Sequence, residues 1–562
     1  MKKVLLLIAF ILFEITFCQL LDKNEKIFTK ADTLRGSNTK YRNWWDVLKY
    51  DITVEPNFEN KTILGEVQIS FKINENYIGN NIMQIDLQEP LQFDDIHFSF
   101  SDRGTSKNDS ILTISERKNS NQNYILFAFD KSKINFIKDK IYYINIKYSG
   151  KPREAVNAPW DGGWIFKKDF YGKPFVSVAC QGLGASVWYP CKDYQGDEPE
   201  FGASLTMIIS DYLQGISNGK KVYEKKLQNN KKEVKWEVKN PINNYNIVPY
   251  IGDYVEIKDT FIGEKGKLNL SYYVLNGNEE KAKQTFNQTK PMLTIFEKWF
   301  GPYPFYEDGF KVVEASHLGM EHQSAIAYGN GFTNGYLGQS LSNAKWGEKF
   351  DFILIHESGH EWFGNNITTQ DIADMWVHEA FTSYSEALYV EELYGKDAGS
   401  EYVIGTRKNF QNDKPIIGKY FVNEEGSGDM YFKGANMIHT LRHWVNNDEK
   451  FKNILRKMNA NYYHQTITGK QMEDFLSKET GIDLSAFFNQ YLRTIEIPVL
   501  EYKLENNTLK FRYQNTVSDF EMPVKLSNNT WIYPTKKWKC IEYRSTFFTI
   551  DENFLIKISS LN

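Results

Sequence analysis

Residues 352–364 read FILIHESGHEWFG, and Glu379 follows the second histidine of this stretch after a gap of eighteen residues. The five central letters form an HExxH motif, in which His356 and His360 are four positions apart. On an α-helix this spacing places both imidazoles on one face, about 6 Å apart, so both can bind one Zn²⁺ ion. Glu357 is rotated about 100° from His356 and would stand beside the metal. The stretch therefore predicts a helix that carries a metal site.

The metal site needs a third ligand, and Glu379 is the expected one, with a water molecule in the open fourth position of a catalytic zinc. Glu357 is then placed to take a proton from that water. The alternative is that the two histidines are ordinary residues of an amphipathic helix. The flanking residues 352–355 and 362–363 are apolar, which indicates a buried helix. Burying two histidines and a glutamate without partners would cost several kcal/mol, so we favour the metal site.

The N-terminus has the pattern of a signal peptide over residues 1–18. A basic pair of lysines precedes an apolar segment from Val4 to Phe13, which is too short to cross a bilayer. We expect cleavage after Cys18 and export to the periplasm or the extracellular space. Anchoring of Cys18 as a lipoprotein is the less favoured alternative, because Phe17 is bulkier than the residue that usually precedes such a cysteine.

Charge and cysteine content exclude several classes of protein. The 562 residues carry a net charge of −4 with acids and bases interspersed, which gives no indication of a nucleic-acid partner. No stretch after the leader is long and apolar enough to span a membrane. Beyond the leader the cysteines are Cys180, Cys191 and Cys540, too few for a disulfide framework. Cys180 and Cys191 could pair in an oxidising compartment, but we favour three buried thiols.

Hydrophobic periodicity divides the chain into three parts. From about residue 45 to residue 257, short alternating runs are broken by Asn, Gly and Pro clusters, which is typical of an antiparallel β domain. Helical spacing begins near residue 276, with one apolar face expected from Phe286 to Phe300. Alternation returns from residue 498 to the end. Further helices are predicted around residues 352–363, 379–394, 431–445 and 470–478.

At this point the chain resembles the aminopeptidase N and leukotriene hydrolase family of zinc metallopeptidases, peptidase family M1, and looks like a bacterial secreted member. HExxH followed by eighteen residues and a glutamate is the gluzincin pattern. Residues 360–365, HEWFGN, are similar to the family's H-x-W-F-G-N. Residues 376–379, WVHE, resemble its W-L-N-E with His378 in place of Asn, and residues 300–304, FGPYP, resemble its F-G-x-P-Y-P. The resemblance extends from the β domain to about residue 500.

The resemblance implies an α+β multidomain fold. Its parts would be an N-terminal antiparallel β saddle at residues 19–258, a thermolysin-like and mainly helical zinc catalytic domain at 259–497, and a small C-terminal β domain at 498–562. The third part is too short for the large helical C-terminal domain that many relatives carry.

The resemblance also implies an exopeptidase motif. Residues 318–322, LGMEH, are similar to the family's G-x-M-E-N and match it at Met320 and Glu321. Glu321 would bind the free α-ammonium of the substrate, because a fixed carboxylate makes a short charge-assisted hydrogen bond to an amine. Gly319 and Met320 would line the substrate site. His322 stands where the family has Asn, and Leu318 where it has Gly, so substrate preference is not indicated.

Three further residues receive expected roles. Tyr431 begins a YFKG sequence that resembles the family's Y-x-K-G, whose tyrosine donates a hydrogen bond to the tetrahedral oxyanion; the alternative is packing at a helix start. Gln181 falls where relatives place a glutamine beside the substrate amine; the alternative is an ordinary loop amide. Glu386, two helical turns beyond Glu379, could hydrogen-bond a zinc ligand or be a solvated residue. His317 and His322 are not expected to be metal ligands.

Together these residues imply a zinc-dependent aminopeptidase that binds one Zn²⁺ and acts on peptides or small aminoacyl substrates. Two alternatives stay open: a zinc hydrolase of a non-peptide substrate, and a catalytically silent scaffold on the same fold. An endopeptidase is disfavoured, because Glu321 would block extended substrates on the N-terminal side. The sequence indicates neither the preferred N-terminal residue nor the oligomeric state.

Overall fold

The computed structural model describes residues 28–100, 112–116, 123–545 and 547–561. The predicted signal peptide, residues 1–18, lies outside the described residues. None of the helices in these four ranges is both long enough and apolar enough to cross a membrane.

The first described region is rich in β-strands and forms three sheets. Their strand orders are β12-β13-β10-β1-β2-β7-β4, β11-β14-β9-β8 and β3-β6-β5. Along β1, buried and partly exposed side chains mostly alternate, as the two-residue repeat of a strand requires. The elements are α1 (Lys30–Gly36), β1 (Trp45–Asn57), β2 (Thr62–Ile73), β3 (Ile82–Asp86), β4 (Gln92–Ser99), β5 (Leu112–Glu116), β6 (Tyr124–Phe129), β7 (Tyr142–Gly150), β8 (Gly163–Lys168), β9 (Pro174–Ala179), β10 (Ala203–Ser210), β11 (Gln214–Ile216), β12 (Lys220–Lys226), β13 (Lys231–Val238) and β14 (Tyr250–Gly252).

The predicted antiparallel β domain is confirmed, with one exception in its pairing. Strands β1 and β10 run parallel in the seven-stranded sheet, whereas β1 with β2, β2 with β7 and β10 with β13 run antiparallel. Parallel neighbours need a long connection, and here most of the β region lies between the two strands.

The second region combines a five-stranded sheet, ordered β15-β16-β17-β19-β18, with nine helices of the described chain. The predicted boundary at residue 258 falls inside β15. The strands are β15 (Tyr254–Gly263), β16 (Gly266–Leu275), β17 (Phe310–Glu314), β18 (Gly319–Met320), β19 (Ile326–Tyr328), and the pair β20 (Ile367–Thr369) and β21 (Gln465–Ile467). The helices are α2 (Glu279–Phe286), α3 (Thr289–Phe300), α4 (Phe352–Gly359), α5 (Trp376–Tyr394), α6 (Lys396–Gly405), α7 (Phe432–Val445), α8 (Asp448–Asn461), α9 (Gly469–Thr480) and α10 (Ser485–Arg493).

The third region is a small β region. Its four-stranded sheet has the order β26-β23-β22-β27, and β24 pairs with β25. The strands are β22 (Val499–Glu505), β23 (Thr508–Gln514), β24 (Val524–Lys525), β25 (Trp531–Ile532), β26 (Lys539–Glu542) and β27 (Lys557–Ser560). Short 3₁₀ turns join elements of the first two regions at Ala185–Val187, Asn244–Asn246, Lys345–Glu348, Ile372–Asp374, Thr406–Asn409 and Gly428–Met430. The overall fold class predicted from the sequence is therefore confirmed.

Two details of the helix prediction are wrong. The apolar face from Phe286 to Phe300 belongs to two helices, α2 and α3, because Pro291 is tolerated only in a first turn and a helix must begin just before it. The helix predicted to reach Phe363 ends as an α-helix at Gly359. Residues 361–365 then form a wide turn in which Gly364 has φ +125°, a conformation that suits glycine.

Two apolar cores hold the regions together. One core fills the N-terminal β region and also includes Met320 and Ala327 from the edge of the five-stranded sheet. The other includes the helices and the C-terminal strands, so Phe511 of β23 lies in the same cluster as the helix residue Tyr491. The Tyr491 hydroxyl donates a hydrogen bond to the Leu555 carbonyl at 2.6 Å across this junction. The motif of residues 318–322 therefore lies where the two cores meet.

Candidate metal centre and active site

Two helices bring the three predicted metal ligands together. His356 lies in α4, His360 at its C-terminal cap and Glu379 in the first turn of α5. The Nε2 atoms of the two histidines are 3.3 Å apart. Glu379 Oε2 lies 3.6 Å from His356 Nε2 and 3.4 Å from His360 Nε2. All three side chains are buried, and their donor atoms form a compact triangle.

The chemistry of this triangle fits a divalent metal ion. Glu379 Oε2 is buried and has no hydrogen-bond partner within the part of the chain that the structure describes. A buried carboxylate oxygen without a partner is costly, and a bound cation would satisfy it. Two imidazole nitrogens and one carboxylate oxygen are the donor set of a catalytic zinc with an open fourth position. His356, His360 and Glu379 can therefore hold one such ion.

Charges around the triangle also favour a cation. Burial opposes ionisation of Glu379, but the two imidazoles hold its pKa below the usual value. Burial lowers the pKa of His360, yet the charges of Glu379 and Glu321 prevail and raise it to about 9. Burial raises the pKa of Glu357 to about 7, although the charges of His356 and His360 lower it. A carboxyl group that titrates near neutrality suits a general base, which must both take up and release a proton.

Each imidazole is held from behind by a hydrogen bond to its Nδ1 atom. Glu386 Oε1 lies 2.7 Å from His356 Nδ1, and the Tyr402 hydroxyl donates to Glu386 Oε2 at 2.6 Å. The Phe363 carbonyl lies 2.9 Å from His360 Nδ1, which explains the sharp turn after α4. Such contacts fix the tautomer and direct Nε2 toward the metal. Glu386 is buried, so its alternative as a solvated residue is wrong.

Glu357 faces the edge strand β18. A Cβ atom on Gly319 would lie 2.5 Å from Glu357 Oε1, so a larger residue would displace the carboxylate. Gly319 and Met320 pair with Tyr328 and Ala327 of β19, which places the strand along the site. The predicted base thus lies against Gly319, one of the two predicted substrate-lining residues of this strand.

Glu321 is held by side chains from the first and the second region of the protein. The Gln181 amide donates a hydrogen bond to Glu321 Oε1, and the Tyr245 hydroxyl donates to the same oxygen at 3.0 Å. Asn365 Nδ2 donates to the Glu321 carbonyl at 2.8 Å. The structure therefore brings Gln181 to Glu321, as expected. The structure shows two further partners of Glu321. Tyr245 is in no motif, and Asn365 is indicated in the sequence only by its place in HEWFGN.

Tyr431 lies at the start of α7, beside the metal triangle. Its ring centre is 6.0 Å from that of His356, with 28° between the ring planes. Burial, reinforced by the charge of Glu379, raises the pKa of the phenol well above its usual value. Tyr431 therefore stays protonated at neutral pH and can donate a hydrogen bond.

The two histidines beside Glu321 make structural contacts. His317 Nδ1 lies 3.1 Å from Ser177 Oγ, and His322 Nδ1 lies 2.5 Å from the Tyr250 hydroxyl. That hydroxyl also donates to the Ala325 carbonyl at 2.9 Å, which closes the loop after Glu321.

The cysteines follow the expectation in part. Cys180 and Cys191 are buried free thiols, as favoured. Cys540 is also a free thiol, but it is exposed, so the expectation that all three are buried is wrong. It lies on β26, an edge strand whose side chains are mostly exposed.

Two family models match the chain. The Peptidase M1 N-terminal domain matches residues 47–245, and the Peptidase family M1 domain matches residues 284–491. The first matched segment corresponds to most of the N-terminal β region. The second contains the metal triangle, Glu321 and Tyr431.

Curated relatives include two named aminopeptidases. The chain is 24% identical over 506 residues to mitochondrial aminopeptidase 2 of Saccharomyces cerevisiae, covering 87% of this chain and 50% of the relative. It is 21% identical over 431 residues to glutamyl aminopeptidase of Rattus norvegicus, covering 74% of this chain and 44% of the relative. The chain thus spans about half the length of the curated relatives it matches.

A solved structure matches the fold of this chain over almost the whole length of the solved protein. It is the crystal structure of an M1 zinc metallopeptidase variant from Deinococcus radiodurans bound to a Tyr-Ser-Ala substrate. The TM-score is 0.66 at 16% identity, covering 83% of this chain and 98% of that one.

Proposed function

Because the chain belongs to peptidase family M1, we propose that it is a zinc-dependent aminopeptidase that hydrolyses the N-terminal peptide bond of peptides. The observation that carries this proposal is the position of Glu321. A carboxylate oxygen of Glu321 lies within 4.8 Å of ligand atoms of Glu357 and His360. Gln181 and Tyr245 donate hydrogen bonds to this carboxylate and hold it in place. The names of the matched relatives agree with it.

The metal ion would be Zn²⁺, held by His356, His360 and Glu379. When bound, it would supply Lewis-acid polarisation of the scissile carbonyl and lower the pKa of water. Glu357 takes the proton of the attacking water on its carboxylate and later passes it to the leaving amine.

Two groups orient the substrate. The Glu321 carboxylate accepts hydrogen bonds from the free α-ammonium, so the first peptide bond is the one presented for cleavage. The Tyr431 hydroxyl donates a hydrogen bond to the oxyanion that develops on the scissile carbonyl, an interaction that typically contributes about 2.7–4 kcal/mol. An acetylated N-terminus lacks the positive charge that Glu321 would recognise.

The test is a panel of aminoacyl-7-amido-4-methylcoumarins, each with a free and with an N-acetylated amine. We expect release from the free-amine compounds only, and its loss on addition of a zinc chelator. Glu321→Ala should lower kcat/KM about a hundredfold or more, because the ammonium would lose a charged partner in a desolvated site.

Two results would overturn the proposal. If one zinc ion binds per chain and no free-amine substrate is cleaved, the chain is a hydrolase of a non-peptide substrate or a silent scaffold. Equal cleavage of free and acetylated substrates would instead indicate an endopeptidase.

We further propose that the protein is exported to the periplasm or the extracellular space. The support is the basic and apolar leader at residues 1–18 and its small residues near Cys18. Mass spectrometry of the mature chain should show Gln19 as its first residue. A chain that keeps its first 18 residues would contradict export, and a lipid adduct on Cys18 would indicate anchoring.

A further inference from the structure

A carboxylate that the proposed mechanism does not use lies beside the substrate anchor. Glu425 belongs to the loop before Tyr431, and its side chain is exposed to solvent. Its Oε1 atom lies 2.9 Å from the position that a Cβ atom on Gly182 would take. Gly182 directly follows Gln181, whose amide donates to Glu321. Glu425 therefore faces the wall next to the group that would hold the substrate's ammonium.

The Glu425 carboxylate forms no ion pair with a cation of the described residues. Within the described residues its carboxylate makes no hydrogen bond or ion pair. Lys414 lies 3.8 Å from the Glu424 carboxylate and donates a hydrogen bond to the backbone carbonyl of Glu425 at 3.4 Å. Arg35 donates to the Gly182 carbonyl at 2.6 Å, and its charge partners are Asp193 and Asp86.

The charges nearest to Glu425 are mostly negative. Although the Glu425 side chain reaches solvent, the neighbouring protein removes its carboxylate partly from water. This desolvation, and after it the charge of Glu379, raises the pKa of Glu425; Lys414 counteracts them, and Glu424 and Glu321 add to the rise. An incompletely solvated carboxylate among like charges is a strong acceptor for a cation and repels a second anion.

The segment at Gly182, which Glu425 faces, is held in a fixed position by hydrogen bonds. The Gly182 carbonyl accepts hydrogen bonds from Arg35 at 2.6 Å and from Asn423 Nδ2 at 3.1 Å. Gly36 packs against the loop that carries Asn423 and Glu425. The contact is so close that a Cβ atom on Gly36 would lie 2.0 Å from the Asn423 backbone nitrogen. Three segments distant in sequence thus meet here and set the place of Glu425 before any substrate binds. Such preorganisation reduces the entropy that binding would otherwise cost.

We propose that Glu425 selects substrates whose N-terminal residue is lysine or arginine, by pairing with the cation of that side chain. The selection rests on the proposed aminopeptidase function, because Glu321 and Gln181 fix the α-ammonium and so place the first side chain along the wall at Gly182. Ile372 Cδ1 lies 3.9 Å from the Cβ position of Gly182 and offers apolar surface for the methylene stem of such a side chain. N-terminal Asp and Glu are disfavoured by the like charge of Glu425.

The test compares arginyl, lysyl and norleucyl substrates, since norleucine has a long unbranched side chain without the charge. We expect the wild-type kcat/KM for arginyl to exceed that for norleucyl at least about tenfold, as one charged hydrogen bond allows. Glu425→Gln should lower this ratio about tenfold. The matched control is Glu424→Gln, which changes the neighbouring carboxylate that faces Lys414 and should leave the ratio unchanged.

Several results would overturn the inference. They are a wild-type ratio near one, a ratio that Glu425→Gln does not change, and a preference that appears in Ala-Arg-Ala rather than in Arg-Ala-Ala. Binding of L-argininamide and L-norleucinamide, measured by calorimetry, separates this inference from the proposed function. If no substrate is cleaved but argininamide binds more tightly in a Glu425-dependent way, the proposed function fails and the selection stands. Equal binding of the two amides overturns the selection whether or not the protein is catalytic.

Discussion

Glu357→Gln is expected to lower kcat/KM about 10²–10⁴-fold for every substrate, the range typical of a lost general base. The amide has nearly the shape of the carboxylate but cannot accept the proton of water. Because Glu357 stands beside the metal triangle, its replacement should leave the ligands His356, His360 and Glu379 in place. Steady-state kinetics together with metal analysis would therefore show a protein with one zinc ion per chain and almost no activity.

The control is Glu348→Gln, which changes an exposed glutamate just before the same helix. It should keep full activity and the same zinc content. A Glu357→Gln protein that retains more than about a tenth of the activity with zinc bound would show that another group takes the proton.

The second large effect concerns metal affinity. Glu379→Gln removes the anionic ligand, and the buried site should then fail to retain zinc through dialysis, with activity lost in proportion. Glu386→Gln keeps all three ligands but weakens the acceptor behind His356 Nδ1. We expect it to lower zinc affinity about 10–100-fold, as loss of such a supporting contact typically does. Competition with a chromogenic chelator measures both effects.

The matched control for these two variants is Glu392→Gln on the same helix. Glu392 pairs with Lys298 at the surface, at 2.7 Å, and does not touch a ligand. Its replacement should leave zinc affinity unchanged. If Glu386→Gln behaves like this control, the hydrogen bond to His356 does not contribute to metal binding.

The metal triangle could be predicted because local rules determine it. A spacing of four residues on a helix fixes the two imidazoles, and burial of polar residues among apolar ones demands a partner. The partners of Glu321 obey no such rule. Tyr245 and Gln181 are 76 and 140 residues away from it along the chain, and only the packing of two regions brings them close. The family resemblance supplied Gln181, whereas nothing in the sequence marked Tyr245.

Local detail also limited the helix prediction. The apolar pattern continues past Gly359, but the backbone leaves helical angles at Phe363 and Gly364, where the Phe363 carbonyl reaches His360 Nδ1. A side-chain requirement of the site overrides the periodicity. The role of Glu425 could not be predicted from the sequence, for another reason. Its neighbours in sequence are ordinary loop residues, and its significance comes only from its position against Gly182, which is far away in the sequence.

The two cores meet at β18, and this affects how many substrate residues would fit between the bound amine and the scissile bond. Met320, beside the amine anchor, packs into the N-terminal core, whereas the helix residues around Glu357 pack into the other core. The distance between Glu321, the proposed amine anchor, and Glu357, the proposed base, is therefore set by how the two cores pack against each other. Sliding one core against the other would change how many residues fit between the amine and the scissile bond. The close approach of Glu357 to Gly319 would oppose such sliding. Under the proposed function, it would keep one residue between the amine and the scissile bond.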